Sequence, residues 1–190
     1  MVAATEEAAE RAALAAIERR DRIAVAVGSH GQNPAVEEIA RLHRFRDANG
    51  AWDGAGLVAM GGYDLQQFFR RKPDTATALL AGQFGCAGAC LSLVSACAAG
   101  AQAIGEATRL IRDDLADAAL AGGYEATVDF VGLLSFTLLR ALSERHASPA
   151  TASRPFDRRR NGFVLAEGAG ALVLEELGHA RARGAAVLGE

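Results

Sequence analysis

Three cysteines and four histidines are the side chains of this sequence best suited to covalent or acid–base chemistry. Cys97 differs from the rest by its place. The apolar, β-forming run 91–94 stops at Ser95-Ala96-Cys97, and a helix-like pattern begins at once. Cys97 therefore sits at a strand-to-helix junction among the small residues Ala96, Ala98, Ala99 and Gly100. A helix N-terminus lowers a cysteine pKa through its dipole and free N–H groups, and the thiolate is the form that attacks an acyl group. The same N–H groups can form half of an oxyanion hole for a tetrahedral intermediate. The residues alone point to an acyl-accepting thiol, with a structural cysteine as the alternative. Cys86 and Cys90 read as small buried hydrophobes. Three cysteines in one short segment make a poor disulfide framework. The spacing C-x3-C-x6-C, with no histidine close by, is not a common zinc pattern, so no metal is expected. His30, His43, His146 and His179 read as surface residues, in helices or loops with polar neighbours.

The elements that must hold Cys97 can be read in order. Residues 4–20 read as a helix, with Thr5 as its cap, early glutamates and late arginines suited to the dipole. Residues 23–27 are a short buried strand closed by Gly28-Ser29. Pro34 fits the first turn of a helix through about Asp47, with Val36, Ile39, Ala40 and Leu42 on its apolar face and Asn49-Gly50 ending it. Residues 50–74 are irregular, broken by Gly50, Gly54, Gly56, Gly61 and Gly62. Their basic run 68–73 reads as a loop, either solvated or docking an acidic partner.

A short helix follows at 75–84, a turn at 85–89 and a strand at 90–95. The helix from Cys97 to Asp113 repeats Cys97, Ala101, Ile104, Ala107 or Thr108, and Ile111 along one face. Glu106–Arg109 and Arg109–Asp113 pair on the other. Gly100 and Gly105 make sense inside a helix if another backbone crosses closely. A strand at 116–121 ended by Gly122-Gly123, an apolar helix at 131–142, a polar loop at 143–161, a strand at 168–175 and a helix at 177–183 ended by Gly184 complete the pattern. Residues 185–188 begin another strand. Alternating strands and helices argue for a largely parallel α/β sheet in one domain spanning 1–190.

Composition excludes some functions. A net charge of −3 provides no broad positive field for nucleic acid. No apolar run approaches a membrane span, and the acidic N-terminus is unlike a signal peptide, so a soluble cytoplasmic protein is expected. Nucleotide motifs, whether G-x-x-x-x-G-K-S/T or G-x-G-x-x-G between a strand and a helix, are absent. Gly168-Ala169-Gly170 reads as tight backbone packing at the start of a strand.

The run SLVSACAAGAQAIGEATRLIR resembles the nucleophile segment of β-ketoacyl-acyl carrier protein synthases, the ketosynthases of fatty-acid and polyketide synthesis. The similarity continues in register through ADAALAGGYEA, through LLSFTLLRALSERHASPATASRPFDRRRNGFVLAEGAGALVLEELGHARARGA, and back through FGCAGACLS. DRIAVAVGS resembles the family's second core strand. The resemblance covers roughly residues 84–190 well and 4–45 more weakly. It implies a thiolase-like fold, in which two similar halves stack as α-β-α-β-α layers, and of which this α/β chain is one incomplete half. It implies that Cys97 takes the acyl chain. Phe136 matches a position lining the acyl pocket and Phe163 an aromatic close to the site, with plain core residues as the alternative for both. Arg140 falls near a position that meets the acidic carrier protein, with a surface arginine as the alternative.

The departures matter as much. The family's first strand is not seen, the stretch before Phe84 is shortened, and Asn161 stands where an aspartate is usual. The second half, with two histidines that support decarboxylation, a buried lysine and a glycine-rich loop, has no counterpart here. The expected reading is the nucleophile subunit of a split ketosynthase, an acyltransferase without cofactor. It would form a hetero-oligomer with a complementary half carrying the catalytic histidines, and receive acyl groups from an acyl carrier protein or acyl-CoA. The rivals are a non-catalytic subunit like a chain-length factor, acyl transfer or thioester hydrolysis without condensation, and a piece of a larger native protein.

Overall fold

The computed structural model describes residues 1–31, 36–61 and 64–190, with backbone only at 65 and 67. The helix start expected at Pro34 and the break at Gly62 lie outside the described residues. In chain order the elements are α1 (Val2–Arg11), β1 (Ile23–Ser29), α2 (Val36–His43), α3 (Gly54–Ala59), α4 (Leu65–Arg71), α5 (Pro73–Phe84) and β2 (Cys90–Val94). There follow α6 (Ala99–Arg112), β3 (Ala118–Glu125), α7 (Phe130–Leu138), β4 (Gly168–Glu175) and α8 (Leu177–Ala182). Two compact units divide the chain: Met1–Gln32 with Leu65–Glu125 and Gly168–Glu190, and Asn33–Asp64 with Ala126–Glu167. No helix among the described residues is long and apolar enough to cross a membrane.

The first unit is built on a sheet of order β2-β1-β3-β4. β1 pairs parallel with β2 and β3, while β4 closes the edge antiparallel to β3. The sheet is largely parallel, as expected, with one antiparallel strand at its edge. Strand period sorts the core into two faces. Ile23, Val25, Val27, Ala118 and Leu120 point to a cluster with Ala9, Leu14, Ile17 and Leu80, the side of α1 and α5. Ala24, Ala26, Ala119 and Ala121 point to the opposite cluster, against Ala103, Ala107 and Leu110 of α6. One sheet face is therefore large-residue and the other almost all alanine.

That alanine face corrects the expected face of the long helix. α6 buries Ala99, Ala103, Ala107 and Leu110, and exposes Ala101. Ile104 and Ile111 pack only partly, at the margins of the cluster. Strand alanines offer no room for isoleucines beneath the helix axis, so the helix turns its own small residues inward. The expected pairs of Arg109 with Glu106 and Asp113 are present, at 2.8 and 3.0 Å. Gly100 does lie where a backbone crosses, beside Gly123, but a Cβ on Gly105 would meet nothing within 4 Å. Gly105→Ala should therefore raise stability by about 1 kcal/mol, through helix propensity alone. A urea titration reads it.

Other elements differ in extent. α1 ends at Arg11, because Ala13 turns left-handed at φ 46° and drops Leu14 and Ile17 into the core. Thr5 is not a cap: it is buried in mid-helix and its hydroxyl donates to the Met1 carbonyl at 3.1 Å. The irregular stretch contains α3 and α4, and residues 68–71 are the end of α4, not loop. β3 runs through Gly122-Gly123 to Glu125, so those glycines serve close packing and do not end the strand. A Cβ on Gly122 would lie 2.1 Å from the Gly170 carbonyl oxygen, the tight packing expected at the start of β4. Residues 185–188 form no strand, and Leu188 is exposed. In the second unit α2 buries none of its residues, including Val36 and Ile39.

Ion pairs fix the amino end of the parallel strands and the end of β4. Arg22 donates to Asp117 at 2.8 Å, and also to Asp114. Arg183 of the segment after α8 donates to Glu175 at 2.6 Å and to the Ala12 carbonyl at 2.7 Å, so it caps α1 as well. His179 is half-buried rather than on the surface, with Nδ1 2.5 Å from Glu175. Burial opposes ionisation of Glu175, but hydrogen bonds from Arg183 and His179 outweigh it and hold the carboxyl below its ordinary range. A depressed folded pKa contributes stability that is present above the ordinary carboxylate pKa and lost as pH falls through the folded one. Glu175→Gln should cost about 2 kcal/mol at neutral pH by leaving Arg183 without its counter-charge. The gap between variant and parent in thermal melts should close below roughly pH 4.

Candidate functional site

Cys97 is the middle residue of a single 3-10 turn, Ala96–Ala98, between β2 and α6. The chain enters it at Ser95, with φ −150° and ψ 36°, and then turns left-handed at Ala96, φ 50°. That conformation costs a residue with a Cβ on the order of 1–2 kcal/mol and is held here by its surroundings. The Ala98 N–H donates to the Ser95 carbonyl at 3.1 Å. The N–H groups of Ala96 and Cys97 open the turn, where a helical ladder supplies no acceptor. The Cys97 side chain is exposed. Ser95 Oγ, at the start of the turn, is buried without a hydrogen-bond partner among the described residues.

Two close approaches set this turn over the sheet. A Cβ on Gly28 would lie 2.2 Å from the Ala99 carbonyl oxygen, and one on Gly123 would lie 3.0 Å from Gly100 Cα. Gly28 and Gly123 are register partners across β1 and β3. The first turn of α6 therefore rests directly on strand backbone, at the carboxyl ends of the three parallel strands. Ligand crevices of open α/β sheets lie outside that edge. The same edge carries Ser29, opposite Val94, together with Tyr124 and Glu125. Tyr124 is half-buried, which pushes its phenol pKa up, while a hydrogen bond with Ser29 works the other way. Glu125 accepts the His30 N–H at 2.9 Å.

The other two cysteines separate sharply. Cys86 is buried as expected, and burial pushes its thiol up to about 11. Cys90 is exposed on the edge strand β2, against expectation, because odd and even positions of β2 alternate and only 91 and 93 turn inward. Two thiols therefore reach solvent, and only Cys97 stands at the start of a helix. The left-handed backbone of Ala96 and the hydroxyls of Ser95, Ser29 and Tyr124 have no sequence signal beyond their place at strand ends.

The remaining expected site residues lie in the second unit. Phe136 of α7 meets Phe163 edge to face, with ring centres 5.1 Å apart and planes at 82°. Phe163 is held by a parallel bridge to Leu142, in which its N–H donates to Ala141 and its carbonyl accepts from Ser143. Arg140 follows α7 in a left-handed conformation and is exposed. The structure thus brings the two aromatics together within that unit, beside the helix that leads to Arg140, while Cys97 belongs to the first unit.

Comparison with known proteins is consistent throughout. The sequence model of the family "Beta-ketoacyl synthase, N-terminal domain" matches residues 1–180. A 3-oxoacyl-[acyl-carrier-protein] synthase 2 of Synechocystis sp. is 48% identical over 117 residues, 62% of this chain and 28% of that enzyme. The crystal structure of a β-ketoacyl synthase from Burkholderia phymatum superposes with a TM-score of 0.76 at 32% identity, over 97% of this chain and 43% of that one. A ketosynthase complex, a type II PKS acyl-carrier protein with its ketosynthase bound to the hexaketide, gives 0.74 at 29% identity, over 97% of this chain and 44% of that one. The chain thus spans less than half the length of these relatives, and its fold is the corresponding part of their thiolase-like α/β architecture. From residue 1 to residue 180, this chain belongs to the β-ketoacyl synthase family as an N-terminal domain.

Proposed function

We propose that this chain is the nucleophile-bearing half of a split ketosynthase and that Cys97 is its acyl acceptor. The observation that carries the reading is the exposed Cys97 thiol on a left-handed turn at the carboxyl edge of the parallel strands. In the first step Cys97 Sγ attacks the carbonyl of an acyl thioester. The new S–C bond forms, the bond to the donor's sulfur breaks, and the proton of the Cys97 thiol leaves with the donor thiol. The N–H groups at the start of the turn are the proposed donors to the tetrahedral oxyanion. A malonyl unit then loses CO2 beside histidines supplied by a complementary half, and its carbanion displaces Cys97 from the acyl carbon. The product class is a β-ketoacyl thioester of fatty-acid or polyketide synthesis.

The donor is an acyl carrier protein or acyl-CoA, in line with the carrier-protein complex among the structural neighbours. Arg140 is the proposed contact for the acidic carrier, and the Phe136–Phe163 pair a wall of the acyl pocket. The exposed apolar side chains of the α7 segment, Phe130, Leu138 and Leu139, support association with a second protein surface. The test is reconstitution. The chain alone should form no carbon–carbon bond from acyl and malonyl donors, and adding a ketosynthase half that bears the histidines should restore it. Condensation at normal rates by the chain alone would refute the split site. A complex that assembles but works equally well without Cys97 would favour a chain-length-factor-like role.

A further inference from the structure

The second unit holds a cleft of ≈ 600 Å³ lined by Arg154, Arg158 and Arg160 together with Pro155, Gly162 and Phe163. Its size is that of a small-molecule site. Between Glu144 and Phe163 the sequence places five arginines and two carboxylates. Of those carboxylates, Asp157 is largely committed. Its side chain takes the Arg159 N–H at 2.7 Å and lies 3.5 Å from Arg154. Arg154 is further held by the Thr151 carbonyl, at 2.9 Å. Among the described residues Arg160 donates to the Asp157 carbonyl oxygen, at 3.1 Å, and neither Arg160 nor Arg158 has a carboxylate partner. Two guanidiniums therefore face the cleft with their charge unneutralised.

The walls are fixed in place. Gly162 has φ 129°, and a Cβ there would lie 2.5 Å from the Leu142 carbonyl carbon, so the backbone around 162 packs directly on the 142–143 segment. The Leu142–Phe163 bridge holds Phe163, and Arg145 donates to the Arg159 carbonyl at 3.1 Å across the loop. Planar guanidiniums beside an apolar wall suit an anion with paired oxygens attached to an apolar group.

We propose that this cleft binds a phosphate-bearing ligand, with Arg158 and Arg160 on the phosphate oxygens and Phe163 against the organic part. The cleft shares Phe163 with the acyl pocket proposed above but lies in the second unit, and its test by binding does not depend on acyl transfer to Cys97. Free phosphate and phosphate on an organic carrier share this chemistry, and calorimetric titration of the full chain separates them. The probes are inorganic phosphate, ADP and adenosine. ADP should bind saturably and adenosine should not. Arg158→Gln and Arg160→Gln should each weaken ADP about tenfold, with unchanged melting curves, while Arg112→Gln on α6 leaves it unaltered. Tighter binding of ADP than of phosphate assigns the organic carrier, and equal binding assigns free phosphate. Adenosine binding as tightly as ADP, no binding of any probe, or folded arginine variants that bind ADP like the parent would overturn the proposal.

Discussion

Gly28→Ala should lower stability by about 3 kcal/mol or more, seen as a fall in Tm of roughly 6–12 °C. The new Cβ would lie 2.2 Å from the Ala99 carbonyl oxygen and 2.7 Å from the Gly100 nitrogen. Both are backbone atoms at the start of α6, so no rotamer change relieves the overlap. Either β1 or the first turn of α6 must move, and each movement displaces Cys97. The variant should therefore lose acyl uptake as well as stability. Gly100→Ala is the matched contrast. Its Cβ would sit 3.7 Å from Gly123, an ordinary contact, so a change of under about 1 kcal/mol is expected. Thermal melts of the two variants side by side check the pair.

This contrast also shows how far the sequence could be read. Alternation in IAVAV and the run ADAALA marked buried strands, and both strands are present. What alternation did not reveal was which layer of helices each face would meet, because both faces are apolar and both are buried. The sheet places Ala24, Ala26, Ala119 and Ala121 toward α6, and that choice sets the helix face and the role of Gly28. Gly122-Gly123 looked like a strand end by composition, yet those glycines continue β3 because neighbouring backbones lie within contact distance. The apparent helix over 4–20 was broken by a left-handed Ala13, a turn no alanine announces. At the site, the strand–Cys97–helix junction was legible from residue types. The left-handed Ala96 and the buried Ser95 hydroxyl were not, since both arise from tertiary contacts around the turn.

Replacing Cys97 should have the largest functional effect. Cys97→Ala in the reconstituted assembly is expected to reduce condensation by at least about a thousandfold, as removal of a covalent nucleophile does elsewhere. Its effect on stability should stay within about 0.5 kcal/mol, because the side chain is exposed and packs in neither core cluster. Cys90→Ala is the internal control. Cys90 is the other exposed thiol, but it opens an edge strand and lacks the helix start that serves Cys97. Condensation rates for Cys90→Ala should match the parent. Equal losses in both variants would indicate a general effect of removing surface thiols.

The acceptor role itself is tested most directly by locating the acyl group. The chain, with its complementary half, is incubated with an acyl-pantetheine thioester, quenched in acid and mapped by peptide mass spectrometry. One acyl group should appear, on the peptide containing Cys97. An acyl group on Cys90, or none on either cysteine, would contradict the assignment of Cys97 as the nucleophile.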